Sequence, residues 1–200
     1  MKLMKSDASP FVRKVVVTLH ETGLLPEVTL IDVATTPLAP DSALIAANPM
    51  GKIPALLRDS GPTLYDSRVI CRYLDDRAGT ALYPQDRLWD TLTLEATADG
   101  IMEAAVLITY EMRFRPADMV FQDWIDGQWG KIARALDALE TRWLSHLHGP
   151  LDMGQIAVGC ALGYLDLRHD VRGWRTGHEG LADWYAGYAQ RESMQATAPA

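Results

Sequence analysis

Between Asn48 and Ser67 the chain reads N-P-M-G-K-I-P-A-L-L-R-D-S-G-P-T-L-Y-D-S, and several of these residues could hold a small peptide. Pro54 stands directly before a short apolar run, Ala55 to Leu57, where it gives the strand ladder no donor. A proline at that place is either an edge device or a cis bond that turns the preceding backbone outward. In the second case the N–H and C=O of Ile53 face open space and can pair with an extended peptide as one more strand would. Asp66 and Ser67 open a helix, so backbone N–H groups and a hydroxyl are offered to a carboxylate, and an acid to an ammonium. Backbone pairing beside a clamp for a zwitterion suits a small γ-linked peptide.

Lys2 to Lys5 is a minimal strand, followed by a loop of Ser6, Asp7, Ala8 and Ser9. Ser9-Pro10 reads as a helix start, with Ser as N-cap and Pro at the first helical position. Phe11, Val12, Val15, Val16 and Leu19 then recur at helical spacing, and Gly23 ends the element. Val28 to Val33 reads as a strand and Ser42 to Ala47 as a short helical turn. Ala55 to Leu57 and Thr63-Leu64 form two short strands about a Gly61-Pro62 turn. Asp66 to Arg77 is a helix whose apolar face is Val69, Ile70, Tyr73 and Leu74. The order β-α-β, short helix, β-β-α is a thioredoxin-like layout.

Residues 79–87 read as a linker, and strand signals vanish beyond it. A helix runs from about Leu88 to Arg113, with Leu92, Ala96, Met102, Val106 and Ile108 among its apolar positions. Pro116 starts the next, which continues to about Leu147 before Gly149-Pro150 breaks it. Asp152 to Gln155 forms a capping box ahead of Ile156 to Leu167, a segment apolar on every side and therefore buried. A last helix, about Leu181 to Gln190, precedes a tail read as frayed. The fold class is α/β plus all-α: a thioredoxin-like domain over residues 1–78, the linker, and a helical domain over 88–200.

Composition narrows the function classes. The net charge of −7 and pI near 5.2 argue against nucleic acid as a main partner. Residues 1–78 hold nine basic and nine acidic side chains, against ten and seventeen in the rest, so the two parts differ in kind. No apolar run approaches the ~20 residues of a membrane span. Two distant cysteines, Cys71 and Cys160, exclude a disulfide scaffold and fit a reducing, cytoplasmic setting. Among the histidines only His146 and His148 are close, with no acidic or Cys partner at ligand spacing, so no metal site is expected. The six tryptophans read as core.

The small α/β domain, the helical domain and the capped central helix together resemble the cytosolic glutathione transferases over essentially the whole chain. The motifs that carry the resemblance are S-P-F-V-R-K from Ser9, N-P-x-G-K-I-P from Asn48 and Y-D-S from Tyr65, with Asp152 to Leu165 in weaker support. The resemblance implies glutathione as co-substrate, a serine-type bacterial member, a homodimer and detoxification-type chemistry on a small electrophile. Peroxide reduction, isomerisation or glutathione binding without turnover are its alternatives. It further implies that Ser9 activates the thiol, with Ser6 the nearby competitor. A hydroxyl donating to the thiolate at the positive end of a helix lowers the thiol's pKa, and Ser9 otherwise reads simply as a helix cap.

The same resemblance makes Pro54 the cis proline and pairs the Ile53 backbone with the cysteinyl unit. It gives the γ-glutamyl end to Asp66 and Ser67, and the glycyl carboxylate either to Lys52 or to water. Phe11 joins this set. The second substrate is expected between the domains, walled by Tyr110, Arg113, Phe114 and Arg115, although the aromatics read equally as packing and the arginines as surface. Asp99 reads as an exposed helix acid, or as an acid reaching a partner subunit's glutathione. Neither cysteine falls at the position where cysteine-type members of the family place theirs, so thiol redox through the protein is disfavoured, and both read as small apolar packing groups.

Overall fold

The computed structural model describes residues 1–198, which divide into two compact units: Met1–Tyr83, joined by residues 196–198, and Pro84–Gln195. The first unit is built on a three-stranded sheet. Its strands are β1 (Lys2–Lys5), β2 (Thr29–Asp32) and β3 (Ala55–Leu57), in the order β2-β1-β3. β1 and β2 run parallel in the register Lys2↔Thr29 to Lys5↔Asp32, which requires a crossover, here α1 (Pro10–Glu21). β3 lies antiparallel to β1 with Lys2 opposite Leu57 and Met4 opposite Ala55. Below the sheet, Met4, Val33, Leu44 and Ala55 form a buried cluster against α2 (Ser42–Ala47).

α1 starts where Ser9 and Pro10 predict, and α3 (Ser67–Ala78) has Asp66 as its N-cap and Gly79 in the left-handed region (φ 65°) at its end. Two expected faces move. In α1, Val17 is fully buried while Val16 is half-exposed, because the helix is covered over more than one stripe and hides even Thr18 and Lys14. In α3, Val69 is 47% exposed and Cys71 takes its place in the core, accepting a hydrogen bond from Thr18 Oγ1 (3.4 Å). The expected strand Thr63-Leu64 shrinks to one bridge, in which Leu56 and Leu64 exchange both backbone bonds at 2.9 Å. Gly61-Pro62 on one side and the entry to α3 on the other leave no room for more.

The second unit is helical: α4 (Leu88–Phe114), α5 (Gln122–Ala138), α6 (Leu144–Leu147), α7 (Met153–His169), α8 (Glu179–Tyr188) and α9 (Glu192–Ala196). α7 is buried from Met153 through Leu165, as its all-round apolar sequence requires. α4 packs along it closely enough that a Cβ on Gly154 would meet Leu94 Cδ2 at 2.7 Å. The buried residues of α4 are Thr91, Leu94, Glu95, Ala98, Asp99, Ile101, Met102, Ala104, Ala105 and Ile108, while Ala96 is exposed and Leu92 and Val106 are only half-buried.

Pro116 does not begin α5. It precedes a 3-10 turn, Ala117–Met119, and α5 opens at Gln122. The helix expected to reach Leu147 does so through a π-wide turn at Leu139–Trp143. Only Trp174 and Trp184 are core; Trp89 is 77% exposed and Trp124 is 45%. The tail read as frayed holds α9, with Ser193 and Met194 buried, while its last two residues lie outside the described ones. No helix among the described residues is long and apolar enough to cross a membrane.

Candidate functional site

Strand register brings the first unit's candidate residues to one end of its sheet. Continuing the antiparallel pairing of Met4 with Ala55 sets Lys5, the last residue of β1, across from Pro54. Continuing the bridge of Leu56 with Leu64 sets Pro54 across from Asp66. The Ser6–Ser9 turn, the Ile53-Pro54 bond and the start of α3 therefore share one edge.

Ser9 caps α1 from extended backbone. Its Oγ accepts one long hydrogen bond from the Val12 N–H (3.3 Å), and its own N–H donates to Ser6 O (3.1 Å). Accepting that bond leaves the hydroxyl proton available to a ligand. Ser6 sits on the strand side of the turn, so of the two serines only Ser9 is at the helix's positive end. Phe11 is half-buried in the first turn of α1.

The Ile53-Pro54 peptide is cis, as is Tyr65-Asp66. No backbone hydrogen bond involves Ile53 among the described residues. The turn before it is held by buried Asn48, whose Nδ2 donates to Lys52 O (2.8 Å) and whose Oδ1 accepts from Met50 N (3.0 Å). Gly51 closes that turn in the left-handed region at φ 61°. Sequence reading placed Asn48 in a turn and missed that its side chain fixes the approach to Ile53. The Lys52 side chain is exposed. Asp66 Oδ1 accepts from the Arg68 N–H (3.1 Å) and its Oδ2 lies 3.3 Å from the Arg68 guanidinium, while Ser67 is buried.

Lys5 is the other residue the sequence reading passed over. It is 9% exposed, and its Nζ lies 2.7 Å from Asp7 Oδ1 and 2.7 Å from Asp32 Oδ1. The hydrogen bond to Asp32, then that to Asp7, raise its pKa above the ordinary 10.5. The parallel register carries a signal for it, since Lys5 pairs with Asp32 across the strands.

In the second unit, Tyr110 and Phe114 meet at the end of α4 with ring centroids 5.2 Å apart, and the Arg113 guanidinium lies 5.3 Å over the Phe114 ring. Arg113 is exposed. Arg115 is instead engaged by Glu111 in two 3.0 Å bonds. Glu111 also accepts from Phe121 N (3.2 Å), tying the end of α4 to the start of α5. The Arg115 bond, then the one from Phe121, hold its carboxyl below the usual range.

Asp99 is 8% exposed, which corrects the reading of it as an exposed acid. Burial on α4 follows from its place one turn after Glu95 on the packed stripe. His146 has an acidic partner after all: its Nε2 donates to Asp152 Oδ2 at 2.7 Å, a contact made by the fold rather than by short spacing. No cluster able to hold a metal ion occurs among the described residues. Cys71 and Cys160 are buried with no exposed surface, and neither forms a disulfide.

Comparison with known proteins matches residues 8–77 to the family model described as glutathione S-transferase, N-terminal domain, and residues 122–187 to glutathione S-transferase, C-terminal domain. The chain is 33% identical over 204 residues to the uncharacterized GST-like protein YibF of Escherichia coli K12, covering 100% of this chain and 98% of that protein. A crystal structure of a glutathione transferase family member from Pseudomonas fluorescens Pf-5 with bound glutathione is 50% identical. It superposes with a TM-score of 0.97 and covers 100% of this chain and 98% of that one. A second structure of a family member from that organism, with bound S-(propanoic acid)-glutathione, is 47% identical with a TM-score of 0.92, over 100% of both chains.

Proposed function

Because the chain belongs to the glutathione S-transferase family, we propose that it is a transferase in which Ser9 activates the glutathione thiol for attack on a small electrophile. A free thiol of this kind has a pKa near ~8.5 and is mostly protonated at neutral pH. Each unit of lowering needs about 1.4 kcal/mol of preference for the thiolate. The hydroxyl of Ser9 and the N-terminus of α1 are the proposed source of that preference. The observation that carries the reading is the Ser9 Oγ itself, which accepts a single 3.3 Å bond and keeps its proton to donate.

Around the sulfur, the Ile53 backbone is proposed to pair with the cysteinyl unit, with Pro54 and Phe11 lining it. Asp66 and Ser67 would take the γ-glutamyl end and Lys52 the glycyl carboxylate. Tyr110, Arg113 and Phe114 are the proposed contacts for the electrophile. An exposed guanidinium stacked on an aromatic ring suits an apolar body bearing an acid. The Pseudomonas relative binds S-(propanoic acid)-glutathione, whose S-substituent likewise bears an acid. We further propose a cytoplasmic homodimer, in keeping with two cysteines held outside any disulfide and with the exposed Trp89 on α4. Sedimentation showing a monomer at micromolar concentration would remove the dimer.

The test is calorimetric titration with glutathione together with an ultraviolet difference scan for the thiolate. Ser9→Ala is expected to bind glutathione within a few-fold of the parent and to lose turnover by about a hundredfold or more, as when one donor to a developing anion is removed. Equal turnover in the variant would return Ser9 to a helix cap. Binding without a thiolate band, and no turnover across a panel of electrophiles and peroxides, would favour a glutathione-holding protein.

A further inference from the structure

Two carboxylates and one buried ammonium surround the turn that carries Ser9, and that imbalance bears on any anion formed there. Lys5 ends β1; Asp7 stands in the turn and Asp32 ends the neighbouring strand, both with side chains 80% exposed. Two residues of chain span at most about 7 Å, so Asp7 is close to Ser9 whatever its side chain does. The 3.1 Å bond from Ser9 N to Ser6 O folds the turn back toward the strand end that bears Lys5. The three charges sum to one negative. Without Lys5 they would sum to two, beside a site proposed to hold a thiolate.

We propose that Lys5 is a positioning residue for this chemistry: its ammonium cancels part of the field of Asp7 and Asp32 at the sulfur, so that the bound thiol ionises at lower pH than those carboxylates would otherwise allow. The proposal rests on glutathione binding with its sulfur at Ser9. Asp7 from the turn and Asp32 from β2 are the charged groups that face Lys5. The other charges near this edge are Arg13 and Lys14, buried on α1, Lys52 and the Asp66–Arg68 pair, which the tests leave untouched. Lys5 itself titrates above its ordinary value, so it stays charged over the range that matters.

The experiment follows the thiolate absorption of bound glutathione from pH 5 to 10 in the parent, Lys5→Met, Asp7→Asn and Asp32→Asn. At separations near 10 Å in a half-wet setting, one charge moves the thiol by roughly half a pH unit, about threefold in the ratio of thiolate to thiol. Lys5→Met is expected to raise the midpoint, and Asp7→Asn and Asp32→Asn to lower it, with all three differences shrinking in 1 M salt. Opposite signs are the signature, because mere loosening of the turn would shift every variant the same way. If Lys5→Met fails to fold, Lys5→Gln, which keeps a donor to both carboxylates but no charge, takes its place in the comparison. Midpoints equal to the parent's, or shifts all of one sign, would overturn the role of Lys5. Absence of glutathione binding in the parent would instead overturn the proposed site.

Discussion

Two helix caps, Ser9 on α1 and Asp152 on α7, solve the same backbone problem and leave opposite residues of chemistry behind. Asp152 is wholly buried and fully engaged. Its Oδ1 accepts from Gly154 N (2.9 Å) and Gln155 N (3.3 Å), and its Oδ2 from Thr91 Oγ1 (3.0 Å) and His146 Nε2 (2.7 Å). Arg87 Nε stands 3.4 Å away, and Gln155 returns the cap by accepting from Asp152 N at 2.7 Å. Ser9 is half-buried and accepts once, at 3.3 Å. A cap saturated by its own fold has nothing left for a ligand, whereas a cap with one long bond and a spare proton can serve both. The cap motif alone therefore does not separate a structural residue from a chemical one; the number of partners does.

The largest expected effect tests the saturated cap. Asp152→Ala strips an acceptor from four donors in a buried place and should cost about 3–5 kcal/mol, the range for breaking a buried charged pair. Urea unfolding of the variant would show it as a large fall in midpoint, and a loss under 1 kcal/mol would mean the network is replaceable by water. Next comes the contact that this cap aims. Gly154→Ala would press a methyl to within 2.7 Å of Leu94 Cδ2 and 3.0 Å of Leu94 Cβ, so the side chain cannot simply swing its tip aside. A cost of about 1–3 kcal/mol is expected from overpacking. An unchanged midpoint would mean that α4 and α7 slide apart freely.

Much of the architecture was legible because single residues enforce it. Ser9-Pro10, the cap at Asp66, Gly79 and the Asp152–Gln155 box each mark a helix boundary through a local backbone requirement. Faces were less legible. α4 is rich in Ala, Leu and Thr around its whole circumference, and its buried stripe includes Glu95 and Asp99, so no hydrophobic period singles it out. For α3, Val69 looked as suitable for the core as Cys71, and only the packing of Thr18 against Cys71 separates them. At the candidate site, the turn, the proline and the helix start could be read from local chemistry. Lys5 and the His146–Asp152 contact could not, because they depend on strand register and on a chain reversal; the bonds of Asn48 are local to its turn, and only the cis Ile53-Pro54 bond beyond it gives them a bearing on the site.

The spare cap should cost less than the saturated one. Ser9→Ala removes one accepted bond at a half-buried N-cap and should lower stability by about 1 kcal/mol, within the usual range for such caps. A loss as large as that of Asp152→Ala would show that Ser9 is committed to the fold and would erase the contrast between the two.

The smallest effect concerns a group whose burial should make the helical unit sensitive to acid. His169, at the end of α7, points Nε2 at Ala105 O (3.0 Å) and Thr109 Oγ1 (3.3 Å) on α4. Burial, chiefly, holds its pKa below the ordinary 6.5, although the bond to Ala105 pulls the other way. The unfolded chain therefore binds this proton at higher pH than the folded one, so stability rises with pH between the two values. The contribution of the neutral ring is complete above about pH 6.5, declines as the pH falls toward the folded value, and levels off below it. His169→Gln, which keeps a donor for Ala105, should have a lower midpoint at pH 7 but a shallower loss between pH 7 and pH 5 than the parent. His146 and His178 are present in both proteins and cancel in that difference. Parallel urea midpoints for parent and variant across this range would mean that His169 titrates alike in the folded and unfolded chains, and that the acid sensitivity of the unit lies elsewhere.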